Sequence, residues 1–165
     1  MKLSSHTFHL VRSVMQRFTA AGFVMWLSGG WAEELRGICP PRRHGDIDLL
    51  YPATDFCMLD EWLVSAKDLL PVYPKWFSHK RAVLCEQILV EILLLEPQSR
   101  SYVTRFFDRR YEFTWPDETL SYVSLSEDTV PVASYQALHQ YRESHHYVNA
   151  AYLEHLETKK ALSKD

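Results

Sequence analysis

Residues 26–51 read WLSGGWAEELRGICPPRRHGDIDLLY, and this stretch restricts the possible folds more than any other part of the chain. The apolar run 23–27 leading into it has the character of a short buried strand. Ser28, Gly29 and Gly30 then make a turn whose two glycines let a ligand approach the backbone. A brief helical pattern over 31–36 follows, ended by Gly37 and Pro40-Pro41. Its first free N–H groups point back at the turn, which suits phosphate. The chain then gives Asp46-Ile47-Asp48 at the start of a second strand, 46–51, closed by Pro52. Alternation along a strand puts Asp46 and Asp48 on one side and Ile47 on the other. Two carboxylates this close repel unless a proton or a cation lies between them. Mg²⁺, held by oxygen ligands and bridging to substrate phosphates, is the natural partner. A phosphate cradle beside paired carboxylates reads as nucleotide chemistry.

The rest of the chain predicts a mixed architecture. Phe8, Val11, Met15 and Phe18 recur at helical spacing over 5–21, with Ser4 or Ser5 as cap and Gly22 as stop. Residues 55–69 return to that spacing. Short strands are expected at 72–73, 76–77 and 82–84, and the strongest strand of all at 88–95, ILVEILLL. Residues 102–115 read as an edge hairpin turning near Asp108-Arg109. A Ser-, Glu- and Asp-rich loop begins at Pro116, followed by an extended piece at 130–132. Ser134 is placed to cap a closing helical region that runs to about residue 160.

Glu91 stands inside that strongest strand, between Ile88-Leu89-Val90 and Ile92 to Leu95. A carboxylate there costs several kcal/mol unless it is neutralised, paired or bound to metal. An arginine partner or an edge position would account for it alone. Together with Asp46 and Asp48 it forms a three-acid set able to hold metal, or metal plus a general base. Glu96, an odd number of residues further on, faces the opposite side and ends the strand.

Composition sets outer bounds. A chain of 165 residues can build one ample core, expected as a single domain over 1–165 with its core at about 5–115 and a loop and helical part at about 116–160. The net charge of −3 argues against broad binding to nucleic acid, which requires a basic face. Cys39, Cys57 and Cys85 are scattered and odd in number, favouring free thiols in a reducing cytoplasm. Arg12 and Arg17 interrupt any leader-like apolar run, and no stretch approaches membrane-spanning length. No His-Glu-x-x-His spacing suggests zinc. Trp31 could stack on a base or sugar, though packing of the short helix explains it more simply; Tyr73, Trp76 and Trp115 could line an acceptor site or belong to the core.

Gly-Gly-Trp, a short helix, Arg-Arg-His, Asp-x-Asp and a later acid in an apolar strand together resemble the nucleotidyltransferases of the DNA polymerase β superfamily. Within it they resemble the small antibiotic-modifying group, the aminoglycoside 2″-nucleotidyltransferases and lincosamide nucleotidyltransferases. The resemblance implies an α+β nucleotidyltransferase fold: a mixed central sheet flanked by helices, with a small C-terminal helical part. It implies that Asp46 and Asp48 hold Mg²⁺, and that Glu91 deprotonates the acceptor hydroxyl and shares a metal. Ser28, Gly29 and Gly30 would receive the nucleotide phosphates, and Arg42, Arg43 and His44 would face the triphosphate. The implied reaction moves a nucleoside monophosphate, AMP from ATP, onto a hydroxyl of a small molecule such as an aminoglycoside- or lincosamide-like antibiotic. Two positions depart from the pattern: Gly45 stands where the family commonly has a further Asp, and Glu91 stands where the third acid is usually Asp. Fold alone leaves another reading open, that of a nucleotidyltransferase-like antitoxin, regulator or catalytically degenerate nucleotide-binding protein. Transfer to a protein side chain or a tRNA end is a third, the tRNA version weakened by the missing basic face.

Overall fold

The computed structural model describes residues 5–126 and 128–164. Helix α1 (Ser5–Ala20) buries Val11, Val14, Met15 and Phe18, the stripe its spacing predicts. Ser4, one of its two candidate caps, lies outside the described residues. Gly22, at φ +92°, ends the helix: its N–H donates to Thr19 O and that of Phe23 to Phe18 O, a Schellman closure. That closure holds Phe23 at the helix end, so β1 is only Trp26–Ser28, beginning later than the apolar run suggests.

The glycines after β1 are not a separate turn. They open α2 (Gly29–Leu35), with Ser28 as its N-terminal flanking residue. β2 (Asp46–Pro52) pairs antiparallel with β1, Ser28 opposite Asp48. Helix α3 (Cys57–Ser65) ends four residues earlier than expected, and Leu69–Pro71 forms a short strand, β3. The two strands expected at 72–73 and 76–77 are instead a 3₁₀ turn, Tyr73–Lys75, which Pro74 favours, and a single bridge from Phe77 to Lys80.

β4 (Lys80–Cys85) and β5 (Ile88–Gln98) form a hairpin whose turn residues, Glu86 and Gln87, both take positive φ, as a two-residue hairpin turn demands. β5 lies between β4 and β2, and runs parallel to β2 with Asp48 opposite Glu91. Its far end bends into β6 (Ser101–Phe106) and β7 (Tyr111–Thr114), the expected hairpin. That pairing carries β5 past Glu96 to Gln98. The expected loop after Pro116 contains a strand, β8 (Leu120–Leu125), paired with β9 (Asp128–Ala133). Its polar residues are those of an exposed outer strand, which explains the misreading. β9 runs parallel to β1, so the described sheet reads β3-β4-β5-β2-β1-β9-β8, with β6 and β7 extending from β5.

The closing helical region is two helices, α4 (Tyr135–Glu143) and α5 (His145–Leu162), broken at Ser144. Ser134 caps α4, its Oγ accepting the Ala137 N–H at 3.1 Å. One face of the sheet packs on α1 and α3, where Tyr51 meets Phe23 and Phe56 and Phe18 meets Trp62. The other face turns toward α4 and α5, where Tyr141 is packed among Phe106, Phe113 and Trp115. Among the described residues no helix is long and apolar enough to cross a membrane, and all three cysteines are free.

Candidate active site

Register does most of the assembly. Ser28 of β1, Asp48 of β2, Glu91 of β5 and Ala82 of β4 stand side by side across four neighbouring strands. Residues opposite one another share a face, and Asp46, two residues before Asp48, shares it too. One carboxylate oxygen from each of Asp46, Asp48 and Glu91 lies within 4.8 Å of the others. The three acids singled out in the sequence therefore meet at one point, although Asp48 and Glu91 are far apart along the chain. Glu96 faces away, as its parity requires, and takes Arg105 at 3.1 Å.

Gly29 is fixed by this cluster. Its φ is +62°, and a Cβ there would lie 2.1 Å from Asp48 Oδ2, so the first turn of α2 and the carboxylate can approach only without a side chain. A Cβ on Gly30 would fall 2.5 Å from His44 Nδ1 and 3.2 Å from an Arg42 guanidinium nitrogen. His44 is held behind the turn, Nε2 3.0 Å from Glu34 Oε1 and its ring 4.4 Å from that of Trp31. The same Glu34 oxygen accepts the Arg42 backbone N–H. The Arg42 and Arg43 side chains are exposed. Trp31 is buried against Phe8 and His44, as the packing explanation has it.

Burial, reinforced by the crowding of like charge, raises both aspartates. Burial, with Asp46 and Glu91 adding to it, pushes Asp48 up to about 7. Burial and then Glu91 raise Asp46 as well. Burial also pushes Glu91 upward, but hydrogen bonds from two lysines outweigh it and hold its carboxyl below the usual range. Lys75 Nζ and Lys80 Nζ donate to the same oxygen, Glu91 Oε1, at 2.8 and 2.9 Å. Sequence reasoning missed both lysines. Lys75 ends a 3₁₀ turn in the break between two expected strands, and Lys80 reaches Glu91 only through the β4–β5 register.

Asp48 and Glu91 open onto a cavity of about 470 Å³ between the sheet and helices α4 and α5. Phe77, Phe106, Phe107, Tyr141 and Tyr152 give it aromatic walls. None of Tyr73, Trp76 and Trp115, the aromatics considered from sequence, is among its lining residues. Trp115 is core, and Trp76 donates its indole N–H to Ala82 O. His79 also lines the cavity, its Nδ1 accepting the Phe107 N–H at 3.1 Å. Burial, then the nearby positive charges, lower it to about 3, so the ring is neutral with its proton on Nε2. Glu33 of α2 is paired with Arg142 of α4 at the rim.

No family model and no curated protein matches the sequence. Solved structures do match. The lincomycin-bound lincosamide antibiotic adenylyltransferase LnuA superposes with a TM-score of 0.64 over 86% of this chain and 93% of its own, at 14% identity. ANT(2″)-Ia in complex with adenylyl-2″-tobramycin gives 0.59 at 15% identity, over 86% of this chain and 78% of its own. The solution structure of ANT(2″)-Ia, an antibiotic-resistance factor, gives 0.63 at 14% identity, over 98% and 93%. The chain has the nucleotidyltransferase fold. In this nucleotidyltransferase-like chain the acids lie on two neighbouring strands, as the sequence motif implied, and the structure adds that these run parallel and stand beside a helix opened by the glycines themselves. Three hard oxygen donors converging in a half-buried site suit Mg²⁺ better than a softer metal.

Proposed function

We propose that the protein is a Mg²⁺-dependent nucleotidyltransferase that moves a nucleoside monophosphate, AMP from ATP, onto a hydroxyl of a small molecule in the cytoplasm. The observation that carries this is the convergence of Asp46, Asp48 and Glu91 within 4.8 Å, against a glycine that leaves no room for a side chain. Asp46, Asp48 and Glu91 would hold the metal. Bound there, Mg²⁺ supplies positive charge that screens and orients the triphosphate. Ser28, Gly29 and Gly30 would offer backbone to the phosphates, and the exposed Arg42, whose guanidinium lies close to Gly30, would face the triphosphate together with Arg43. The acceptor hydroxyl oxygen forms a bond to the α-phosphorus as the bond to the bridging oxygen breaks. Glu91 takes the hydroxyl proton, and pyrophosphate leaves.

The cavity supports an acceptor class. Its walls are aromatic, and two of its acids already have cationic partners: Glu33 with Arg142, and Glu91 with Lys75 and Lys80. A ring-bearing, neutral or singly charged hydroxyl compound fits such walls. A polycation such as an aminoglycoside would find few free carboxylates.

The test is thermal unfolding with and without Mg–ATP, followed by pyrophosphate release on a panel of hydroxyl antibiotics and metabolites. Mg–ATP is expected to raise the unfolding temperature, and Asp46→Ala and Asp48→Ala to abolish the gain. Stabilisation by nucleotide alone, without Mg²⁺ and without turnover of any acceptor, would favour the degenerate or regulatory reading.

A further inference from the structure

Two ammonium groups crowd one oxygen of Glu91, Lys75 Nζ at 2.8 Å and Lys80 Nζ at 2.9 Å. Two cations on one oxygen repel each other. The arrangement persists because Asp46 and Asp48 leave an excess of negative charge around them. The two lysines come from different supports. Lys75 ends the 3₁₀ turn after Pro74, and its side chain is about half exposed; Lys80 opens β4 and is more enclosed. Both line the aromatic cavity together with Ser28 and Gly29, so both can reach a ligand lying along the glycine-led helix. A lysine is a point charge on a flexible stem, able to change partners without the geometric loss an arginine fork would suffer.

We infer that Lys75 and Lys80 are exchange residues: in the metal-free protein they neutralise Glu91, and when a divalent cation takes the three acids they transfer to the phosphate oxygens of the incoming nucleotide. The inference rests on the nucleotidyltransferase reading above. Its physical basis is charge balance. Three carboxylates with two ammonium groups carry a small excess of negative charge, which a divalent cation alone would turn positive. A triphosphate then supplies the anionic oxygens that the displaced ammonium groups require, and lysine serves as a point-charge partner to phosphate. Metal and nucleotide binding are therefore coupled through two side chains that compete with the first and assist the second.

The competition predicts effects of opposite sign, which a merely structural role would not produce. Calorimetric titration of Mn²⁺ into nucleotide-free protein is compared with titration of ATP in excess Mg²⁺, for wild type and for Lys75→Met, Lys80→Met and the double variant. The double variant is expected to bind Mn²⁺ about tenfold more tightly and Mg–ATP about tenfold more weakly, since two nearby positive charges have been removed. Lys75→Met alone, on an exposed turn, should show both changes in smaller degree, and it serves if the double variant does not fold. Unchanged or weakened Mn²⁺ binding overturns the inference, and so does unchanged Mg–ATP binding. If wild type binds no Mn²⁺, or Asp48→Asn binds it equally well, the nucleotidyltransferase reading falls with it. The two failures are thus told apart by the wild-type titration.

Discussion

Strand β5 carries two glutamates five residues apart that face opposite ways, and their surroundings differ in kind. Glu96 meets Arg105, whose guanidinium also takes Glu112 at 2.9 Å; nearby, Arg81 grips both oxygens of Asp60 at 2.7 and 2.9 Å. Asp60, Arg81, Glu96 and Arg105 line a cavity of about 520 Å³ on that side, comparable in size to the one before the acids, yet Arg81 and Arg105 are already matched to carboxylates. Glu91 stands instead with two aspartates close enough to repel it, tended by two lysines on one oxygen. Planar forks give complete pairs with no capacity left over, whereas a crowd of acids served by mobile point charges remains unbalanced until a ligand arrives. Size of cavity does not mark the site; unresolved charge does.

Breaking the unbalanced side should have the largest effect. Asp48→Asn is expected to lower pyrophosphate release at least about a thousandfold by weakening metal binding. The same change should stabilise the metal-free protein, because it removes a carboxylate raised by burial and by two like charges. A chemical-denaturation curve beside the kinetics checks both signs. Next comes Gly29→Ala. The new methyl would meet Asp48 at 2.1 Å from a backbone with φ +62°, so a loss of about 2 kcal/mol or more in denaturant unfolding is expected, with nucleotide binding impaired as well.

His79 tests the cavity wall between the two regions. Its folded-state value, about 3, lies below the ordinary 6.5, so the unfolded chain binds its proton more readily. The stabilising contribution is complete above about pH 6.5 and is lost as pH falls toward 3. Between about pH 7.5 and pH 5 this amounts to about 2 kcal/mol. His79→Asn, which can still accept the Phe107 N–H, should flatten that part of the stability–pH curve measured by urea denaturation. The smallest effect belongs to the balanced side: Glu96→Gln should change stability by no more than about 1 kcal/mol and leave Mg–ATP binding as in wild type. A large loss of nucleotide binding there would dissolve the contrast between the two glutamates.

The sequence revealed the acids better than what surrounds them. Asp46 and Asp48 were readable because period-two alternation is local, and Glu91 because an acid inside ILVEILLL has no cheap explanation. Their meeting depends on the parallel β2–β5 register, which local pattern does not encode. The lysines were invisible for the same reason, and the pieces at 72–73 and 76–77 looked like strands because aromatic and β-branched residues flanking a proline turn share a strand's composition. β8 was lost because a short outer strand carrying Ser121 and Ser124 after a polar stretch resembles a loop. Tyr73, Trp76 and Trp115 were left open between lining and core, since aromatic content alone does not tell the two apart; none of them lines the cavity. Ser134, by contrast, was found, because a cap acts on its own next turn.

One feature of the sheet bears on how the protein comes into being. β2 pairs directly with β5, while α3, β3 and β4 are all made between them. During synthesis from the N-terminus, a growing chain has Asp46 and Asp48 outside the ribosome well before Glu91 emerges. Nothing in that interval brings the acids into their final cluster, so a half-made chain has no complete place to sequester a divalent ion. The cluster is completed late and in a single event, when β5 takes its place beside β2.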